Sequence, residues 1–310
     1  MVDSTNATRL PKFLAALLLS SALLACGAPQ IKTAEVQTAP GPALWTLADE
    51  DTTIHLFGFA PVLKNGTEWQ NSAIRTAFDA ADLIVVETDS SAPEAQQAVQ
   101  AAIPQIGIFT DGRTLSSTLS EGDRDEVNAI TTNLGVPLQA LDTLKPWLAS
   151  VQLGVVAIQS GGYDLANPPA TQLITRAKNG GKTIQILEQP VELMNLMARF
   201  DENEQNGMFV HAARSLRDAP DRQNEIAEAW LTGDVEEVGN LLHGADGAWS
   251  SRTIYDALLV RRNEAWAQEI NRLLDSHQGT VFFTVGLGHF AGEDSLIAML
   301  EAADLEVTRR

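Results

Sequence analysis

Apolar positions in this chain fall into short unbroken runs and longer stretches with a helical repeat, and their order predicts the architecture. Residues 44–47 and 53–57 are apolar-rich on either side of Asp49-Glu50-Asp51, the pattern of a hairpin closed by an acidic turn. A helix is expected over 71–80, and the unbroken run Leu83-Ile84-Val85-Val86 reads as a buried strand. Ser120 followed by Asp123 opens a predicted helix that Gly135 closes; 138–158, interrupted by Pro146, gives another. A helix over 171–178 ends at Gly180-Gly181, and a strand at 183–187 follows at once. Further helices are predicted at 191–200, 207–216, 224–231, 235–242 and 254–274, then a strand at 281–285, a helix at 294–303 and a last strand at 305–308. Residues 53–61 and 280–289 look alike, each an apolar strand running into Gly-x-x-X, so they are expected as adjacent parallel strands opening onto one crevice. The fold class is therefore α/β: a central mixed, largely parallel sheet built from N- and C-terminal strand-GxxX-helix-strand halves, with a mostly helical middle insertion.

The start of the chain has a different pattern. Arg9 and Lys12 precede an apolar run from Phe13 to Leu24 that is short for a bilayer span and has the flanks of a signal peptide. It ends at Leu23-Leu24-Ala25-Cys26, which resembles the cleavage box of a bacterial lipoprotein: small Ala25 suits a peptidase pocket, and the Cys26 thiol takes diacylglycerol, with palmitate as a further acyl group. The plainer alternative is an ordinary secretory leader with Cys26 a free thiol. Residues 27–42, rich in Ala, Pro, Gln, Thr and Gly, read as a flexible tether. The expected division is a signal peptide at 1–25, a tether at 26–42 and a globular domain at 43–310. Either leader places the mature protein outside the cytoplasm; Gly27 after the cysteine leans toward the outer membrane, facing the periplasm.

Composition removes several function classes. The chain has 310 residues and a formal net charge of −19, a field that repels nucleic-acid phosphates, so nucleic-acid binding is not expected. Its single cysteine excludes an intramolecular disulfide and a Cys-rich zinc site. Gly-x-Ser-x-Gly, His-Glu-x-x-His and phosphate-cradling Gly-rich motifs do not occur.

The candidate chemistry gathers at predicted strand ends. Gly286 is expected to let the backbone turn off its strand so that His289 projects into the crevice. Glu87 directly follows a buried strand, where a carboxylate serves as metal ligand, general base or a merely salt-bridged acid; Asp89 is open to the same readings. Arg262 suits a planar anion, or a structural ion pair. Trp147 and Trp266 read as core, and His211, His243 and His277 as surface or core residues without metal-ligand spacing.

Taken in order, these features resemble the TraB/GumN family, related to the Tiki metal-dependent proteases and more distantly to erythromycin esterase-like proteins. The likeness runs over residues 42–309. It rests on Ala43-Leu44-Trp45, Leu56-Phe57-Gly58, Trp69, Ala81-Asp82, Val85-Val86-Glu87-Thr88-Asp89, Lys145-Pro146-Trp147, Gly181-Lys182 through Leu187-Glu188, Arg262-Asn263, Trp266 and Gly286-Leu287-Gly288-His289. The resemblance implies a hydrolase of peptides or small molecules with Glu87, Arg262 and His289 as catalytic residues and Glu87 and His289 on a divalent ion. The chain departs from the pattern at Gly58-Phe59-Ala60-Pro61, where the family's first histidine is Pro61, which neither binds a metal nor moves a proton. His55, six residues upstream, would replace it only with a distorted strand. The remaining set of His289 and Glu87, with Asp89 or Glu188, suits Mn, Co or Mg better than Zn. Two readings stay open: a metal-dependent hydrolase, or a non-catalytic binding or envelope-assembly protein on the same fold.

Overall fold

The computed structural model describes residues 41–218, 221–245 and 247–310. The residues expected to form a leader, Cys26 and residues 27–40 of the expected tether lie outside the described residues. Strands β1 (Leu44–Ala48), β2 (Thr52–Phe59), β3 (Leu83–Val86), β4 (Thr183–Ile186), β5 (Gly279–Gly286) and β6 (Thr308–Arg309) form one sheet in the order β4-β3-β5-β2-β1-β6. β4, β3, β5 and β2 run parallel, while β1 is antiparallel to both β2 and β6.

The predicted hairpin forms because Asp49 closes it, its Oδ1 accepting the backbone N–H groups of Asp51 at 3.1 Å and Thr52 at 2.8 Å. β2 and β5 then pair in step from Thr52↔Gly279 to Phe59↔Gly286, so the two Gly-x-x-X segments leave the sheet side by side, as their likeness suggested. All of β3 is buried, as its unbroken apolar run demands.

Alternation along the strands sends side chains to two cores. Phe57, Ile84, Val86 and Phe282 pack with helices Ser72–Ala80, Pro169–Asn179 and Arg222–Thr232. Ile54, Leu56, Val85, Val281 and Phe283 pack with helices Arg261–Ser276 and Leu296–Ala302. A third core, around Leu115, Val127, Leu153 and Phe209, holds the helical middle together.

Several elements differ from expectation, and the predicted helix over 138–158 is in fact a 3-10 turn at Leu138–Leu141 followed by a separate helix at Pro146–Ser160, which Pro146 opens instead of interrupting. The stretch 254–274 is not one helix: a helical turn at Arg252–Tyr255, capped by Ser251, runs through a π-helical turn at Asp256–Val260 into helix Arg261–Ser276. The predicted last strand shrinks to Thr308–Arg309, because the chain turns at Asp304 with φ +60° and sends Leu305 and Val307 into the second core. Helix Pro93–Ile106 escaped the pattern because its Gln- and Ala-rich sequence buries only Ala95.

Candidate functional site

Each of the four parallel strands delivers a segment to the same edge of the sheet. Glu188 follows β4, Glu87 follows β3, His289 follows β5 and Pro61 follows β2. The backbone stitches three of these exits together beyond the strands, Glu188 N–H donating to Glu87 O at 3.0 Å and Glu87 N–H to Thr284 O at 3.1 Å.

Arg262, on the helix beyond the π turn, is the centre of the cluster. Its Nη2 donates to Glu87 Oε1 at 2.6 Å, its Nε to both oxygens of Glu188 at 3.0 and 3.1 Å, and its Nη1 to Leu258 O at 3.0 Å. Nη1 also lies 3.2 Å from His289 Nε2. The second oxygen of Glu87 accepts the Gly286 N–H at 2.8 Å. Side-chain exposures of 11% for Arg262, 15% for Glu87 and 21% for Glu188 make this a largely desolvated triad, where fork-like charge-assisted bonds are strongest. Burial pushes the guanidinium's pKa down, but Glu87 and Glu188 more than offset this and hold it above its ordinary value.

The neighbouring bonds fix the protonation pattern of His289. Asn263 uses its Nδ2 toward Asp294 O at 2.8 Å and His289 O at 3.4 Å, so its Oδ1, 2.7 Å from His289 Nδ1, is an acceptor. His289 therefore carries its proton on Nδ1 and presents the Nε2 lone pair to Arg262. Burial lowers its pKa well below the ordinary value, and the positive charge of Arg262 and the nearby His243 lower it further, so the ring is neutral. Trp266 lies beneath both groups, its ring 4.5 Å from the Arg262 Cζ and 4.5 Å from the His289 ring. Trp266 is thus core, as expected, and also the floor of the site.

Gly286 acts differently from the sequence expectation, and Gly58 has a packing role. Gly286 has φ −54° and ψ 140°, which any residue adopts, and its contribution is the N–H given to Glu87. Gly58 is the position where bulk is forbidden: a Cβ there would stand 2.8 Å from Phe290 Cδ2 and 3.0 Å from Leu287 Cα. The first Gly-x-x-X turn therefore packs directly against the second, and Trp230 Nε1 donates to Gly58 O at 2.7 Å.

His243, read from the sequence as surface or core, braces the second motif. Its Nε2 is 2.9 Å from Gly288 O and its Nδ1 accepts from Trp249 Nε1 at 2.8 Å. Trp249 and Tyr255 enclose the ring, at centroid distances of 5.9 and 5.8 Å. Sequence reasoning missed this bracket and gave Asn263 no role beyond its place in the Arg262-Asn263 match; no spacing connects His243 to a loop so much later in the chain.

Other candidates stay apart from the cluster. Asp89 turns to Lys178 Nζ at 2.7 Å and to Ser91; burial raises its pKa, but these partners outweigh that and leave it below the ordinary carboxylate value. His55 is bonded to Thr46 Oγ1 at 2.9 Å and pairs with Phe282, four residues short of Gly286, or about 13 Å of strand. It does not replace the histidine missing at exposed Pro61. His211 Nε2 meets Gly247 O at 2.9 Å, His277 meets Asp82 at 2.7 Å, and Trp147 is buried with Nε1 on Ile106 O.

The donor set does not fit a divalent ion in this arrangement. Glu87, Glu188 and His289 all direct their acceptors at one guanidinium, which already supplies a cation at their focus. Among the described residues, no group of three or more His, Cys, Asp or Glu side chains is placed to hold a metal. Nor is any helix among them long and apolar enough to cross a membrane.

Comparison with known proteins agrees with the resemblance. Residues 43–309 match the sequence profile of the TraB/PrgY/gumN family. The chain is also similar to an uncharacterized protein of Treponema pallidum (strain Nichols), 23% identical over 266 residues that span 83% of this chain and 79% of the relative. No solved structure matches.

Proposed function

This chain belongs to the TraB/PrgY/gumN family, and we propose that it works there as an envelope-anchored binding protein instead of a metal-dependent hydrolase. The observation that carries this reading is the saturation of the polar centre. The guanidinium of Arg262 engages Glu87, Glu188 and His289 together, and the segment after β2 that would add another imidazole carries Pro61. Metal-assisted hydrolysis needs protein ligands around an open coordination position. Here the acceptors that would serve as ligands are committed, and the cluster instead ties the exits of three strands to one helix.

The hydrolase reading keeps one argument of its own. Glu87, Arg262 and His289 converge at the carboxyl edge of parallel strands, where α/β folds build active sites. Metal content separates the two. After dialysis of the purified full chain against Mn, Co or Zn in turn, elemental analysis is expected to find far less than one ion per chain. Stoichiometric metal that disappears in His289→Ala would overturn the binding-protein reading.

Attachment to the envelope rests on Leu23-Leu24-Ala25-Cys26 and the basic, apolar leader before it. The acyl group at Cys26 would hold the protein at the outer membrane, with the domain in the periplasm.

A further inference from the structure

A cavity of about 800 Å³ opens within the helical middle and shares no lining residue with the Arg262 cluster. It lies between helices Pro146–Ser160, Glu202–Asp218, Arg222–Thr232 and Val235–His243. Voids left by close packing are water-sized, whereas a space of several hundred cubic ångströms with mixed lining has the scale of a small-molecule site. We propose that this cavity binds a neutral amphiphile with a carbonyl-bearing head, such as a primary amide on a short acyl chain. The inference rests on the binding-protein reading and gives it a location and a ligand class.

The lining chemistry selects that class. Ile158, Ile226, Leu241 and Leu242 provide the apolar wall for a hydrocarbon body. Tyr163 Oη donates to Asn224 Oδ1 at 2.7 Å, which orients the amide and leaves its Nδ2 as the group that donates to a ligand carbonyl. His211 pairs its Nε2 with Gly247 O at 2.9 Å; with the proton there, Nδ1 remains to accept a ligand N–H. A carboxylate head is disfavoured because the lining cations are already committed. Arg214 binds Glu126 at 2.6 Å and Asp123 at 2.9 Å, Arg222 donates to Leu241 O at 2.8 Å and faces Glu225 at 3.8 Å, and the lining carboxylates Asp218 and Asp221 add negative charge. The formal charge of −19 acts in the same direction.

Gly154 supplies the test. It lies on the cavity wall, and a Cβ built on it meets nothing within 4 Å. Gly154→Phe therefore fills the space, while replacing a helical glycine favours the helix. Calorimetric titration of the full chain with octanamide and with octanoate, its anionic near-isostere, is expected to give saturable one-to-one binding of the amide and at least about tenfold weaker binding of the acid. Gly154→Phe is expected to abolish amide binding without lowering the thermal midpoint, and Asn224→Leu to weaken it about tenfold. Absence of saturable octanamide binding to the wild type would overturn the proposal. So would unchanged affinity in Gly154→Phe, and equal affinity for octanoate would overturn the neutral class. Metal uptake on the same preparation decides the ionic centre separately, since Gly154 and Asn224 do not touch it.

Discussion

Arg262 satisfies two carboxylates and faces an imidazole lone pair from one partly buried position, so removing it strands charges instead of merely deleting contacts. Breaking a buried pair by removing one partner costs about 3–5 kcal/mol, and Arg262→Met is expected to lower the urea-unfolding free energy by that order. Adding Glu87→Gln should recover part of the loss, because one of the stranded charges is then gone; additive losses in the double variant would contradict this account. Histidines give the second residue-scale prediction. Burial is the leading cause that lowers the pKa values of His289, His243 and His55. Below the ordinary value of 6.5 the unfolded chain therefore binds protons that the folded chain refuses. Stability should fall as pH drops from about 7 toward 5, and the slope of the urea midpoint should shrink in His243→Gln. Glu87 and His289 were legible in the sequence because each comes just after an apolar run, and Arg262 through its affinity for planar anions and the family pattern. Their mutual saturation was not, since it depends on which groove the Arg262 helix crosses.

At the scale of elements, strand type and order were readable because β2, β3 and β5 are apolar runs whose ends carry distinctive residues. In the middle, periodicity located most helices, and boundaries were sharpest where caps mark them, as at Ser120, whose hydroxyl accepts the Asp123 N–H at 3.1 Å. Helix Pro93–Ile106 has neither a capping side chain nor a buried stripe, and periodicity passed over it. The π-helical turn at Asp256–Val260 was invisible for another reason: an added residue in a helix leaves both flanking patterns intact and alters only their relative phase. That phase lets His243, Trp249 and Tyr255 meet on one side while Arg262, Asn263 and Trp266 address the strand ends. The packing of one Gly-x-x-X turn on the other predicts that Gly58→Ala destabilises the domain by about 1–3 kcal/mol, through forced movement of Phe290 and the Leu287 backbone. A urea midpoint unchanged from wild type would mean that the turns separate without cost.

For the molecule as a whole, the proposed lipid anchor is a matter of location and not of fold. If Cys26 carries the proposed lipid, Cys26→Ser should move the protein from the membrane to the soluble fraction, and retention in the membrane would end the lipidation reading. The sheet adds a property of its own. β1 opens the described domain and β6 closes it, yet they are hydrogen-bonded neighbours: Trp45 pairs with Arg309, and the Arg310 N–H donates to Leu44 O at 2.8 Å. A short linker joining these ends, with new termini cut at exposed Gly66, should give a circular permutant that keeps the sheet intact. Any reporter fused after Arg310 would likewise stand beside the point where the domain's first strand begins, so it reports on surroundings near that entry point and not on the far side of the protein.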